Sequence, residues 1–195
     1  VHEREEWFGC ACCPGNITRF MASIPGYAYA TDKNNLFVNL YVEGDAVVEL
    51  GNNKIVLIQK TEYPWDGDVE ITVNPSNAGK FSLMLRMPGW ATGSPVSSSL
   101  YHYTDNTESE IKISVNGKEI KKSVHKGYAA INREWKAGDK VNLHMDMPVK
   151  RVQACENVKY DKGLLSMERG PVVYALESMD QPAEYLFNIV IPRNT

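Results

Sequence analysis

The chain has 195 residues, of which 43% are hydrophobic and 23% charged, with a net charge of −3. That size and composition fit one or two globular domains with a real core. The lack of any basic block argues against nucleic acid as a partner, and no apolar run approaches the roughly 18 residues that a membrane-crossing helix needs.

The first residues are a charged lead-in, His2-Glu3-Arg4-Glu5-Glu6, followed by the aromatic pair Trp7-Phe8. Val1 is not a natural initiator, so the chain reads as a piece of something longer. Asn16 is a suitable N-cap for a helix from about Ile17, with Ile17, Phe20, Met21 and Ile24 at helical spacing and Pro25-Gly26 as the stop. A single short amphipathic helix is not stable alone and needs a surface to pack on.

Beyond it the period changes to two. Residues 36–42 and 46–50 flank Glu43-Gly44-Asp45, which predicts a hairpin turn. Residues 54–63 alternate up to the turn Pro64-Trp65-Asp66-Gly67-Asp68. Residues 69–73 and 81–87 alternate again, the latter with Phe81, Leu83, Leu85 and Met87 on one side. A polar loop region follows at 94–99 and 104–109. Residues 111–115 before Asn116-Gly117 give a second hairpin signal, and 128–131, 141–145, 164–167 and 172–176 complete the set. Residues 187–191 predict one more strand in the tail. About ten short strands with frequent turns predict a mainly β chain, a β-sandwich region over 31–195 that is one sandwich or two packed together, with a layer change near 88–110.

Three of the four cysteines, Cys10, Cys12 and Cys13, fall within four positions just before the helix. Adjacent cysteines are poor disulfide partners for each other. A helix N-terminus and a metal both favour the thiolate, so the spacing suits a reactive or metal-bound sulfur. A buried thiol pair or a structural zinc corner meets the same spacing. Cys155 lies far away, so no disulfide framework is implied and the compartment is not legible.

Other residues have plainer readings. Trp90 and Trp135 fit as plugs at the base and corner of a sandwich. Glu168-Arg169 fits a structural ion pair better than Glu134 and Glu168 fit a catalytic carboxylate pair. His102, His125 and His144 lack ligand spacing. Tyr101-His102-Tyr103 fits a loop anchor or, less readily, a glycan platform.

Three stretches taken together resemble one family: residues 7–16 (Trp-Phe-Gly-Cys-Ala-Cys-Cys-Pro-Gly-Asn), residues 85–91 (Leu-Arg-Met-Pro-Gly-Trp-Ala), and Arg133 to Val141 continued through Met147-Pro148-Val149-Lys150-Arg151 to Arg169-Gly170-Pro171-Val172-Val173-Tyr174. Their order is similar to the C-terminal part of the β-L-arabinofuranosidases of glycoside hydrolase family 127. The resemblance implies an (α/α)6-barrel followed by β-sandwiches, with residues 1–30 the last segment of that barrel. It implies Cys12 as nucleophile on zinc, Cys13 as a second zinc ligand, and an arabinofuranosyl glycan as substrate. Trp7 and Phe8 would line the sugar subsite or pack on the barrel. The acid/base and the remaining zinc ligands would lie in the barrel, outside this chain, leaving this piece inactive alone. Cys10 receives no role. The apolar side of the helix, without its barrel, would stand exposed or be covered by a second copy in a homodimer. The rival reading is a non-catalytic β-sandwich that binds carbohydrate or serves as a scaffold.

Overall fold

The structure is a computed structural model in which residues 9, 12–105, 109–177 and 189–192 are described. Helix α1 spans Cys12–Ser23 and runs into a 3-10 turn over Ile24–Tyr27. It starts four to five residues earlier than the N-cap reading of Asn16 placed it. Pro14 sits in the first turn, where its missing N–H is no loss, and Asn16 instead accepts a hydrogen bond from the Arg19 guanidinium inside the helix.

The strands then follow in chain order: β1 (Tyr29–Asp32), β2 (Asn35–Val38), β3 (Gly44–Leu50), β4 (Asn53–Thr61), β5 (Asp68–Pro75), β6 (Gly79–Arg86), β7 (Tyr101–Tyr103), β8 (Ile111–Val115), β9 (Lys118–Glu119), β10 (Val124–His125), β11 (Tyr128–Trp135), β12 (Asp139–Met145), β13 (Val149–Ala154), β14 (Leu165–Arg169) and β15 (Val172–Tyr174). They form three sheets. The first has the order β1-β2-β6-β11-β10, the second β3-β4-β5-β12-β8-β9, and the third β15-β14-β13-β7. The mainly β expectation therefore holds. Among the described residues no helix is long and apolar enough to cross a membrane.

The first two sheets pack face to face. Leu36, Val38, Leu83 and Leu85 of one meet Ile55, Leu57, Ile71 and Leu143 of the other in a single apolar core. The alternation seen in the sequence is the alternation of this burial: β12 reads buried-exposed throughout, as a strand with one solvated face must. Trp135, fully buried, closes one corner. It stacks on Phe81 and its indole N–H donates to the Phe81 carbonyl at 3.1 Å. It is the last residue of β11, which continues four residues past the predicted 128–131.

The expected hairpin at Glu43-Gly44-Asp45 does not form. β2 and β3 belong to different sheets, and Gly44 and Asp45 already pair within β3 and β4. The chain crosses between layers over 39–43, fixed by buried Tyr41, whose hydroxyl donates to the Arg86 carbonyl at 2.6 Å. The real hairpin is β3–β4, closed by Gly51 in the left-handed region and Asn52. Asn116-Gly117 does form the turn expected of it, with both residues at positive φ between β8 and β9. Of the predicted tail strand at 187–191, residues 189–191 are described and form no strand, and the rest lies outside the described residues.

Gly67 has a different reason to be glycine. A Cβ there would lie 1.8 Å from the Met145 carbonyl oxygen, and Met145 N–H already bonds Gly67 O at 3.0 Å. Gly67→Ala should therefore lower stability by about 1–3 kcal/mol, the usual cost of forced overpacking, whereas Gly15→Ala, with open space around it, should not. Urea midpoints of the two variants check this.

Burial raises the phenol pKa of Tyr29, Tyr41, Tyr63 and Tyr103. A phenol with a raised folded pKa stays protonated after the unfolded chain has ionised, so the native state binds more protons and stability falls as pH rises. Burial pushes the Lys150 ammonium the other way, down, and that contribution is spent by about pH 10.4, the unfolded value for lysine. Above that pH the tyrosines act together with Lys112, which its hydrogen bond to Glu110 raises, and both make the urea midpoint fall as pH rises. Tyr29→Phe should flatten the slope.

Candidate functional site

The cysteine pair opens α1. Cys12 and Cys13 are consecutive residues of its first turn, both exposed, with their Sγ atoms 3.7 Å apart. That separation is far beyond the S–S bond length of about 2.05 Å, so they are not disulfide-linked. Two sulfurs held about 2.3 Å from one tetrahedral zinc ion would lie about 3.8 Å apart, so the pair spans the distance of two zinc ligands. Among the described residues no third histidine, cysteine or carboxylate completes a metal-binding group. Trp7, Phe8 and Cys10 lie outside the described residues.

The helix carrying the pair buries none of its residues. Ile17, Phe20 and Met21 are 59%, 60% and 62% exposed. Its far end meets the sandwich at an apolar groove whose lining includes Phe20, Ile24, Tyr41, Tyr63 and Val172. The 3-10 turn anchors this junction: Asn39 N–H bonds the Ala28 carbonyl at 2.8 Å, and the Asn39 amide also accepts from the Tyr128 hydroxyl at 2.8 Å. The sulfurs therefore sit on an arm projecting from one end of the sandwich.

Trp90 is buried beside that end. It stacks on Tyr63, donates to the Tyr63 hydroxyl at 3.2 Å and lends its carbonyl to Lys150. It is a packing residue, as expected of a base plug. The expected Glu168–Arg169 ion pair is not made. Neighbours on a strand point to opposite faces: Glu168 turns inward, accepting from the Tyr103 hydroxyl across from Lys150, while Arg169 reaches out to the Trp65 carbonyl at 2.8 Å. His144 pairs with Asp68 at 2.6 Å on the outer face of the second sheet, and Glu134 lies in β11 of the first.

Residues 35–147 match the family model described as "Beta-L-arabinofuranosidase, GH127 middle domain". The chain belongs to glycoside hydrolase family 127. Residues 149–195 match that family's C-terminal domain model. A curated family relative, the non-reducing end β-L-arabinofuranosidase of Bifidobacterium longum subsp. longum, is 36% identical over 94% of this chain, which covers 26% of the relative. A solved family 127 β-arabinofuranosidase is 42% identical with a TM-score of 0.82 over 87% of this chain and 27% of its own. The family 127 β-L-arabinofuranosidase of Geobacillus stearothermophilus is 39% identical with a TM-score of 0.77, over 92% of this chain and 26% of its own. The chain thus spans about a quarter of the length of the relatives it matches.

Exposure makes one outcome specific. With Cys12 and Cys13 exposed and Cys155 only partly so, a limiting maleimide should label the helix pair before Cys155. Peptide mass spectrometry of the folded chain reads the order.

Proposed function

We propose that this chain is part of a retaining β-L-arabinofuranosidase in which Cys12 supplies the nucleophile and Cys13 binds zinc beside it. The observation that carries this reading is the pair of exposed sulfurs at zinc-ligand spacing on a helix N-terminus, in a chain belonging to family 127. Zinc, when bound, favours the thiolate at neutral pH.

In this reading Cys12 Sγ attacks the anomeric carbon of a terminal β-L-arabinofuranosyl residue of a glycan. The glycosidic C–O bond breaks and the leaving oxygen takes a proton from a carboxylic acid elsewhere in the longer protein. Water then displaces the thiolate, and the two inversions retain configuration. The usual retaining enzyme does the same with two carboxylates about 5 Å apart; here a sulfur replaces one. The part of the protein that holds the acid/base and the other zinc ligands is a helical barrel, and the apolar side of α1 with the groove at its foot is the surface it covers. Residues 1–30 close that barrel, with Trp7 and Phe8 at the sugar or in the packing. The chain alone is inactive for want of those groups.

In the longer protein, Cys12→Ser should lower kcat/KM on an aryl β-L-arabinofuranoside on the order of 10³-fold or more, with the fold intact by circular dichroism. Cys13→Ser should lower bound zinc measured by elemental analysis. A slow substrate should leave a pentosyl adduct on the Cys12 peptide; an adduct on a carboxylate oxygen overturns the reading. The 195-residue chain by itself should give no turnover above buffer.

A further inference from the structure

The Tyr101-His102-Tyr103 stretch has a place that the cysteine chemistry does not use. Tyr101 anchors it, donating to Asp161 at 2.8 Å. The next two residues face a surface pocket at the edge of the third sheet, lined by His102, Tyr103, Asp105, Ser109, Lys122 and Lys150 among others. These six are scattered over almost 50 positions of sequence. They converge because β7 pairs with β13, placing Tyr103 opposite Val152, next but one to Lys150.

Lys150 forms the buried part of the wall, only 3% exposed. Its Nζ donates to the Trp90 carbonyl at 3.1 Å and lies 4.6 Å from the centre of the Tyr103 ring. An ammonium has three donors, so this one retains hydrogen-bonding capacity beyond its one protein acceptor among the described residues. Ser109 Oγ is buried and has no hydrogen-bond partner among the described residues, the kind of polar atom that ordinarily finds a protein group, a water or a ligand. Lys122 Nζ reaches the Ile111 carbonyl at 2.9 Å. Asp105 accepts from the Arg151 amide at 3.2 Å through one oxygen and from the Thr104 hydroxyl at 3.4 Å through the other.

The charges balance. Lys122 and Lys150 share the pocket with Asp105, and Lys150 also lies in the fields of Glu168 and Asp146, so its cations are compensated. Neither an anion nor a cation gains from such a site. Donors, acceptors and an aromatic wall side by side suit a neutral ring with several hydroxyls. We propose that this pocket is a binding subsite for a neutral sugar ring. No cysteine enters it, so it stands or falls separately from the hydrolytic reading.

The test is an amide NMR titration of the 195-residue chain with L-arabinose, with an arabinan oligosaccharide, and with sulfate as an anion control. The expected result is saturable shifts at Gly93, Asp105, Ser109 and Ile111 with either sugar, in the millimolar range usual for a small polar ligand, and none there with sulfate. Tighter binding of the oligosaccharide assigns the site to a glycan chain, and equal binding assigns it to a free sugar; both support it. Asp105→Ala and Lys122→Gln should each weaken binding about fivefold to tenfold, the loss of one charge-assisted hydrogen bond, while Cys12→Ser should leave it unchanged. Lys122 is exposed, so its variant carries the test if Asp105→Ala disturbs the fold. No saturable shift up to about 100 mM sugar, the same shifts with sulfate, or wild-type affinity in Lys122→Gln overturns the proposal.

Discussion

The attachment of the third sheet to the sandwich depends on a charge removed from water. Lys150 and Glu168 stand directly opposite each other on β13 and β14, and both are almost fully buried. Taking an ammonium and a carboxylate out of water costs several kcal/mol per ion in real proteins. That cost is offset in part where the buried groups find partners. Here Glu168 takes the Tyr103 hydroxyl, Lys150 takes the Trp90 carbonyl, and the Tyr103 ring lies against the ammonium. The partners come from the 3-10 turn over Gly89–Thr92 and from β7, so one buried pair ties together three segments distant in sequence. Removing one partner alone would strand the other.

The rest of the junction follows from that pair. With β14 fixed, Gly170 packs against the Met147 side chain so closely that a Cβ would lie 2.7 Å from its sulfur, and Val172 reaches the groove at the foot of α1. The helix itself gains little from this. It touches the sandwich only near its end, at the groove lined by Phe20 and Ile24.

Much of this was legible in the sequence because burial on one face of a strand leaves a period of two. β5, β6, β8 and β12 could be read from alternation alone, and the Asn116-Gly117 turn from its chemistry. Which strands pair was not legible. Residues 36–50 look like a hairpin because two apolar runs flank a turn-like triplet, yet Tyr41 carries the chain from one layer to the other. Alternation does not say which sheet a strand joins. The helix start was misplaced because Asn16 has capping chemistry, while Pro14 is equally at home in a first turn. The cysteine pair was visible as a motif; the pocket around Lys150 was not, since its members meet only through the β7–β13 register. The one trace was Tyr101-His102-Tyr103, an aromatic cluster in an otherwise polar stretch.

β2 lies parallel to β6, with Asn35 beside Ser82, while the other ladders among the described residues are antiparallel. The whole β3–β4–β5 meander is threaded between these two partners. A parallel pair cannot be closed by a tight turn, so the β2–β6 pair must wait until three of the six strands of the second sheet have been made. Loop closure over such distances is slow. During synthesis the early β1–β2 ribbon therefore emerges with an open edge and no mate, and the period before β6 arrives is when this polypeptide is most exposed to pairing with the wrong neighbour.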